Sequence, residues 1–262
     1  LAVSLAVPRR HHMADAVVDA HTQEQGRLLR AFHFGQDRPK DEWSSTGPRS
    51  LSPFVPCASA RIAAVFSAAR LTHEDVLWDL GCGDGRVLHQ AAVQHGCRCV
   101  GLEIDRACVD EAEQRAAEQG VAERCRFAVA DLMRLPAGAM ASGVLDAAAA
   151  DGPAAAAPPA TVALLFITGH MLSRMSAWLH KEWSRGGLRI VTCVEALDEC
   201  VDFEEGLFAG GGDERTFDWP VHRGHAHHGV FVVPPHGVTV GEWAAAAAGA
   251  VGAERPAAPL LT

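Results

Sequence analysis

One segment constrains this chain more than any other: Val76-Leu-Trp-Asp79-Leu-Gly81-Cys82-Gly83-Asp84-Gly85-Arg86. A short apolar run carrying one acid predicts a buried strand, and three glycines at alternate positions lead from it into a helical pattern. Without Cβ atoms at those places the backbone can turn tightly and a ligand can lie against it. A dinucleotide fingerprint would need its third glycine one residue later, where Arg86 stands, so the spacing favours a different adenosine ligand.

The periodicity on either side extends the pattern. Ile62, Ala63, Val65, Phe66 and Ala69 recur at helical spacing before the first strand. After it, Val87–His95 reads as a helix, Arg98–Glu103 as a strand, Cys108–Gln119 as a helix closed by Gly120, and Arg124–Val129 as a strand. Thr161–Thr168 predicts a fourth strand, Met171–Trp183 an amphipathic helix ended by Arg185-Gly-Gly, and Leu188–Val194 a fifth strand. Strands alternating with helices predict βαβ units, a parallel sheet and an α/β, Rossmann-like fold. Thr216–Val221 and Gly229–Val233 are expected to close it as an antiparallel hairpin.

Residues 1–50, helical in patches such as Ala14–Phe34 and broken by polar runs, read as an N-terminal arm, and 51–243 as the main domain. Within that domain the Ala-, Gly- and Pro-rich stretch 136–160 reads as a disordered or surface insertion, and 244–262 as a frayed tail. The 262 residues are 48% hydrophobic, ample for a packed core. The longest apolar runs are either about ten residues or nearly pure alanine, against the ~20 that a bilayer span needs, so no membrane crossing is expected. A net charge of −9 speaks against bulk nucleic-acid binding. Eight cysteines without framework spacing suggest a reducing, intracellular compartment. Leu1–His12 is too short for a complete targeting segment and Met13 is a candidate initiator, which leaves mitochondrion and cytoplasm both open.

Two further acids fall at strand ends. Glu103 closes the second predicted strand, 22 residues after Gly81, where a carboxylate can accept from both ribose hydroxyls. Asp131 follows the third strand, where a side chain can accept from an adenine amino group. Taken singly, each acid also suits a helix cap or a solvated loop. Asp79, Glu103 and Asp131, in order beside the glycine loop, point to one ligand.

Asp-Leu-Gly-Cys-Gly-Asp-Gly, Val-Gly-Leu-Glu-Ile-Asp and Ala-Asp-Leu together resemble the class I S-adenosylmethionine-dependent methyltransferases over about residues 53–235. The resemblance implies a mostly parallel seven-stranded sheet with a closing antiparallel hairpin and S-adenosyl-L-methionine as cofactor. It implies that Asp79, Gly81 and Gly83 border the methionine part, that Glu103 holds the ribose and Asp131 flanks the adenine, and that Cys82, Gly85, Ile104 and Leu132 also belong to the cofactor site. A narrower resemblance rests on Pro53-Phe-Val-Pro56, Gly85-Arg-Val and Gly187-Leu-Arg-Ile-Val-Thr. These are similar to the small lysine methyltransferases that modify the ATP synthase c subunit and the adenine nucleotide translocase, which implies a protein substrate. Three departures stand out: Cys57 where that family runs on into Ser or Thr, no apolar anchor ahead of Pro53, and the extra 136–160 stretch.

Methyl transfer to an amine is an in-line displacement in which the protein mainly aligns donor and acceptor and supplies a neutral amine. Thr168 and His170, at the end of the fourth predicted strand, are the candidate catalytic contacts; otherwise His170 caps the helix starting at Met171. No Asn-Pro-Pro-Tyr sequence follows that strand, which argues against adenine or glutamine-amide acceptors. An RNA methyltransferase, or a scaffold subunit without turnover, is the alternative reading. His222-Arg-Gly-His-Ala-His-His228 lacks a second ligand cluster at structural-zinc spacing, so no metal is expected and the histidines read as an exposed turn near the substrate entrance. Cys97 and Cys99, and Trp178 and Trp183, read as packing residues. The oligomeric state stays open.

Overall fold

The first strand, β1 (Val76–Leu80), is buried at all five positions, as a strand covered by helices on both faces must be. In the computed structural model, which describes residues 55–143, 157–200, 202–203, 214–215 and 217–251, β1 lies inside a seven-stranded sheet of order β3-β2-β1-β4-β5-β9-β8. The parallel members are β2 (Arg98–Glu103), β3 (Cys125–Val129), β4 (Val162–Leu165) and β5 (Arg189–Cys193). β9 (Val230–Val233) runs antiparallel to β5, and β8 (His222–His225) pairs antiparallel with β9 at the edge of the sheet. A separate ribbon pairs β6 (Asp202–Phe203) with β7 (Glu214–Arg215).

Side chains alternate between two cores, one on each face of the sheet. Leu77, Cys99, Leu164 and Val191 face the helices α1 (Ser59–Ala69), α2 (Arg86–His95) and α3 (Arg106–Glu118). Trp78, Leu80, Val100, Ala163 and Ile190 face α4 (Ala139–Ser142) and the long α5 (Gly169–Trp183). A final helix, α6 (Val240–Val251), presses Trp243 into the first core and under the Arg70 guanidinium, 3.8 Å from the ring centroid. At the amino ends of the strands Asp75 fixes the register: it accepts from the Thr72 backbone and hydroxyl at 2.8 and 3.0 Å, from Thr161 Oγ1 at 2.7 Å, and from Arg189. Burial pushes its carboxyl upward, but these donors outweigh burial and hold it below the usual range.

Three expectations need correction. The described ends of the 136–160 stretch are part of the core: Ala139, Met140 and Ala157 are buried. The buried Glu182 carboxylate accepts from the backbone of Gly138 and Met140, and Trp78 Nε1 donates to the Pro158 carbonyl at 3.0 Å. Residues 144–156 lie outside the described residues, as does the predicted arm, 1–50. The outer hairpin strand is His222–His225, not Thr216–Val221; residues 217–221 run unpaired, and the backbone of His222 and His225 pairs with Val232 and Val230. The boundary expected at 244 falls inside α6, which continues to Val251. Among the described residues no helix is long and apolar enough to cross a membrane.

Candidate active site

The strand order changes direction between β1 and β4, and a sheet of this kind leaves a crevice there, beyond the carboxyl ends of its strands. A cleft of about 210 Å³ occupies that place, where a single buried water would need only ~10–15 Å³. Asp79 and Gly81 reach it from β1, Glu103 and Ile104 from β2, Asp131 and Leu132 from beyond β3, and Phe166 and Ile167 from beyond β4. Helix α2 points its first turn at this crevice, with Arg86 and Val87 in the lining.

The loop's geometry explains its glycines. Gly81, Gly83 and Gly85 all have positive φ, 93°, 52° and 71°, which L side chains rarely adopt. At Gly85 a Cβ would also stand 2.8 Å from the Phe127 ring and 2.9 Å from the Ala112 methyl. Glu103 ties the loop down: its Oε2 accepts from the Gly83 backbone at 2.9 Å, while Oε1 accepts from Ile104 and Asp105 at 2.7 and 3.2 Å. The carboxylate of this cleft-lining residue is thereby held in one orientation.

Asp79 is 3% exposed. Burial, then the nearby Glu103 and Asp84 charges, push its carboxyl up to about 8. A buried acid kept protonated at the end of a strand suits a cationic group arriving in the cleft, because ionisation becomes favourable only when that partner is present. Asp84 behaves in the opposite way. Burial would raise it, but Arg86, at 2.6 Å from Oδ2, and Arg115 on α3 outweigh burial and hold it low. Asp131 Oδ1 accepts from Met133 at 2.9 Å and so caps the short turn Leu132–Arg134.

The sequence-nominated residues separate into two groups. Asp79, Gly81, Cys82, Glu103, Ile104, Asp131 and Leu132 line the cleft; Gly83 and Gly85 shape the loop behind it. Thr168 and His170 are not in the lining. Thr168 is buried and is itself the cap of α5, its Oγ1 accepting from Met171 at 3.4 Å, so the helix starts at Gly169 and His170 lies exposed on its first turn. Sequence reasoning missed Phe166, two residues before Thr168 on the same strand exit, and Arg115, which no local signal connects with Asp84. Burial raises the lining thiol of Cys57 to about 12 and that of Cys82 well above its usual value, so both act as small apolar groups.

Buried Asp79, the fixed carboxylate of Glu103 and Asp131 thus reach one cleft from three strand exits. Residues 77–161 match the family described as a methyltransferase domain. Over that stretch the chain is similar to methyltransferases. The chain is 33% identical over 73 residues to a protein-lysine N-methyltransferase of Saccharolobus islandicus (strain REY15A), a match covering 28% of this chain and 45% of that relative. The chain thus spans under half the length of the curated relative it matches. Among solved structures, an RNA methyltransferase from Salinibacter ruber in complex with S-adenosyl-L-homocysteine is 27% identical at a TM-score of 0.44, covering 69% of this chain and 94% of that one. A SAM-dependent methyltransferase from Thiobacillus denitrificans is 20% identical at 0.38, covering 60% and 56%.

Proposed function

We propose that this protein transfers a methyl group from S-adenosylmethionine to a lysine side chain of another protein. The observation that carries the cofactor half is the convergence of Asp79, Glu103 and Asp131 on one cleft beside the glycine loop. The lysine half is supported by the partial match to a protein-lysine N-methyltransferase, by the Pro53–Pro56 and Gly187–Thr192 motifs, and by the absence of an amide-clamping Asn-Pro-Pro-Tyr sequence after β4.

When bound, S-adenosylmethionine supplies an electrophilic methyl on a sulfonium, so the work left to the protein is alignment and exclusion of water. Asp79 is the group to take the ammonium end, Glu103 to accept from the ribose hydroxyls, and Asp131 to accept from the adenine amine. The apolar Leu164, Phe166, Ile167 and Met171 border the cleft on the β4 side and keep that side dry. A lysine amine is protonated at neutral pH and must lose that proton to expose its lone pair. Thr168 holds the start of α5 in place, and His170, exposed on that first turn, is the candidate to pass the proton to water.

The test is incubation with methyl-labelled S-adenosylmethionine and fractionated mitochondrial and cytoplasmic extracts. Label recovered as methyl-lysine in a discrete protein is the expected result. Label in RNA overturns the lysine half, and no label in any fraction contradicts turnover.

A further inference from the structure

We propose that the histidines at 222, 225, 227 and 228, backed by the buried Arg61, form a docking surface for an acidic segment of the methyl-accepting protein, an inference that rests on the protein-methylation reading. The surface is joined to the cleft by direct contacts. The buried Arg61 donates through Nε to the His228 carbonyl at 2.9 Å, and its guanidinium lies 5.2 Å from the centroid of Phe166, a cleft residue. Val194, at the carboxyl end of β5 and itself held at a φ of +74°, donates to the Gly229 carbonyl at 2.6 Å. The histidine turn is therefore pinned to the same end of the sheet as the cleft.

The histidines crowd together with little acid to balance them. His227 and His228 have ring centroids 4.1 Å apart, and His225 lies 6.3 Å from His227 and within 3.4 Å of Ser67 Oγ on α1. Burial first, then neighbouring positive groups, hold His222, His225 and His228 below the usual imidazole range: Arg70 acts on His222, His227 and His222 on His225, and His227, His225 and Arg61 on His228. The nearest elements supply Arg61 from α1, Arg70 just beyond its end and Arg223 from β8, while β9 is apolar. Of the acids near them, Asp198 and Glu199 pair with Arg223 at 2.6 and 3.0 Å, Glu242 accepts from Thr239 at the start of α6, and Glu195, next to Val194, lies against Gly169. Among the described residues no group of three or more His, Cys, Asp and Glu is disposed to hold a metal.

In a chain of net charge −9, a concentration of protonatable groups linked through Arg61 to the Phe166 side of the cleft is complementary to carboxylates brought by a partner. Docked carboxylates would favour the imidazolium forms, so docking takes up protons and tightens as the pH falls.

The test uses the full chain and two labelled lysine-containing peptides of equal length, one with Asp and Glu flanking the lysine and one with Ser in their place. Binding is read by fluorescence anisotropy at about pH 6 and about pH 8. The acidic peptide should bind roughly tenfold more tightly at the lower pH, equivalent to ~1.4 kcal/mol, and the Ser peptide should show no such change. His227→Gln alone should reduce this pH effect, and His225→Gln, His227→Gln and His228→Gln together should abolish it, with calorimetric binding of S-adenosylmethionine unchanged as the control for folding. Equal binding of the two peptides, a pH effect that survives the triple change, or tighter binding of a single-stranded RNA of equal charge overturns the docking surface. Failure of the unaltered protein to bind S-adenosylmethionine would instead strike at the proposed function.

Discussion

Gly83 donates its backbone N–H to Glu103 Oε2 at 2.9 Å, and through this bond the end of β2 fixes the shape of the glycine loop that follows β1. Two parts of the cleft far apart in sequence are therefore one mechanical unit. Replacing Glu103 by Ala removes the acceptor for three backbone donors as well as the proposed ribose contact. S-adenosylmethionine affinity should fall by at least about tenfold. Glu103→Gln should not restore it, because its amide cannot accept on both sides; titration calorimetry of the two variants checks this.

The loop glycines predict two different failures. Gly83→Arg places a long side chain at a positive φ where the ligand's methionine end is proposed to lie, and should abolish the thermal shift given by S-adenosylmethionine. Gly85→Ala forces a methyl against Phe127 and Ala112, and should destabilise the fold itself by on the order of 1–3 kcal/mol. Melting curves with and without ligand separate the two outcomes.

Asp79 predicts a pH dependence whose sign follows from its raised value. Between the unfolded carboxylate value of 3.8 and the native value of about 8, the native state holds a proton that the unfolded state has lost, so stability falls as the pH rises through that window. Asp79→Asn removes this slope. At pH 7 the variant should exceed the unliganded wild type by on the order of a few kcal/mol, with the difference vanishing toward pH 4. Denaturant titrations across the window, without ligand, test it.

Glu182 predicts a purely structural loss. Its buried carboxylate accepts from the Gly138 and Met140 backbones, so Glu182→Ala leaves two buried donors without partners. The expected cost is about 2–4 kcal/mol, with S-adenosylmethionine affinity little changed in the protein that remains folded.

The legible parts of this molecule are those where local pattern and tertiary setting agree. Strands β1 and β2 fall at their expected limits because each has an apolar, buried middle, β1 being stopped by the glycine turn and β2 by Asp105, which caps the next helix. Asp79, Glu103 and Asp131 were readable for the same reason, as acids at the exits of such strands. His222–His225 has no apolar alternation to announce a strand; its place is set by pairing with β9. The 136–143 segment looks like low-complexity sequence, and its order comes from Glu182, more than forty residues away. Thr168 shows the cost of reading chemistry from position alone: a hydroxyl at a strand exit also suits the first turn of the next helix, and there it is the cap.

The most direct test of the central claim is a calorimetric titration of the purified protein with S-adenosylmethionine, run beside NAD. The account predicts saturable binding at one site for S-adenosylmethionine, lost in Glu103→Ala, and no heat from NAD. Binding of NAD, or S-adenosylmethionine binding that is absent or indifferent to Glu103, would contradict it.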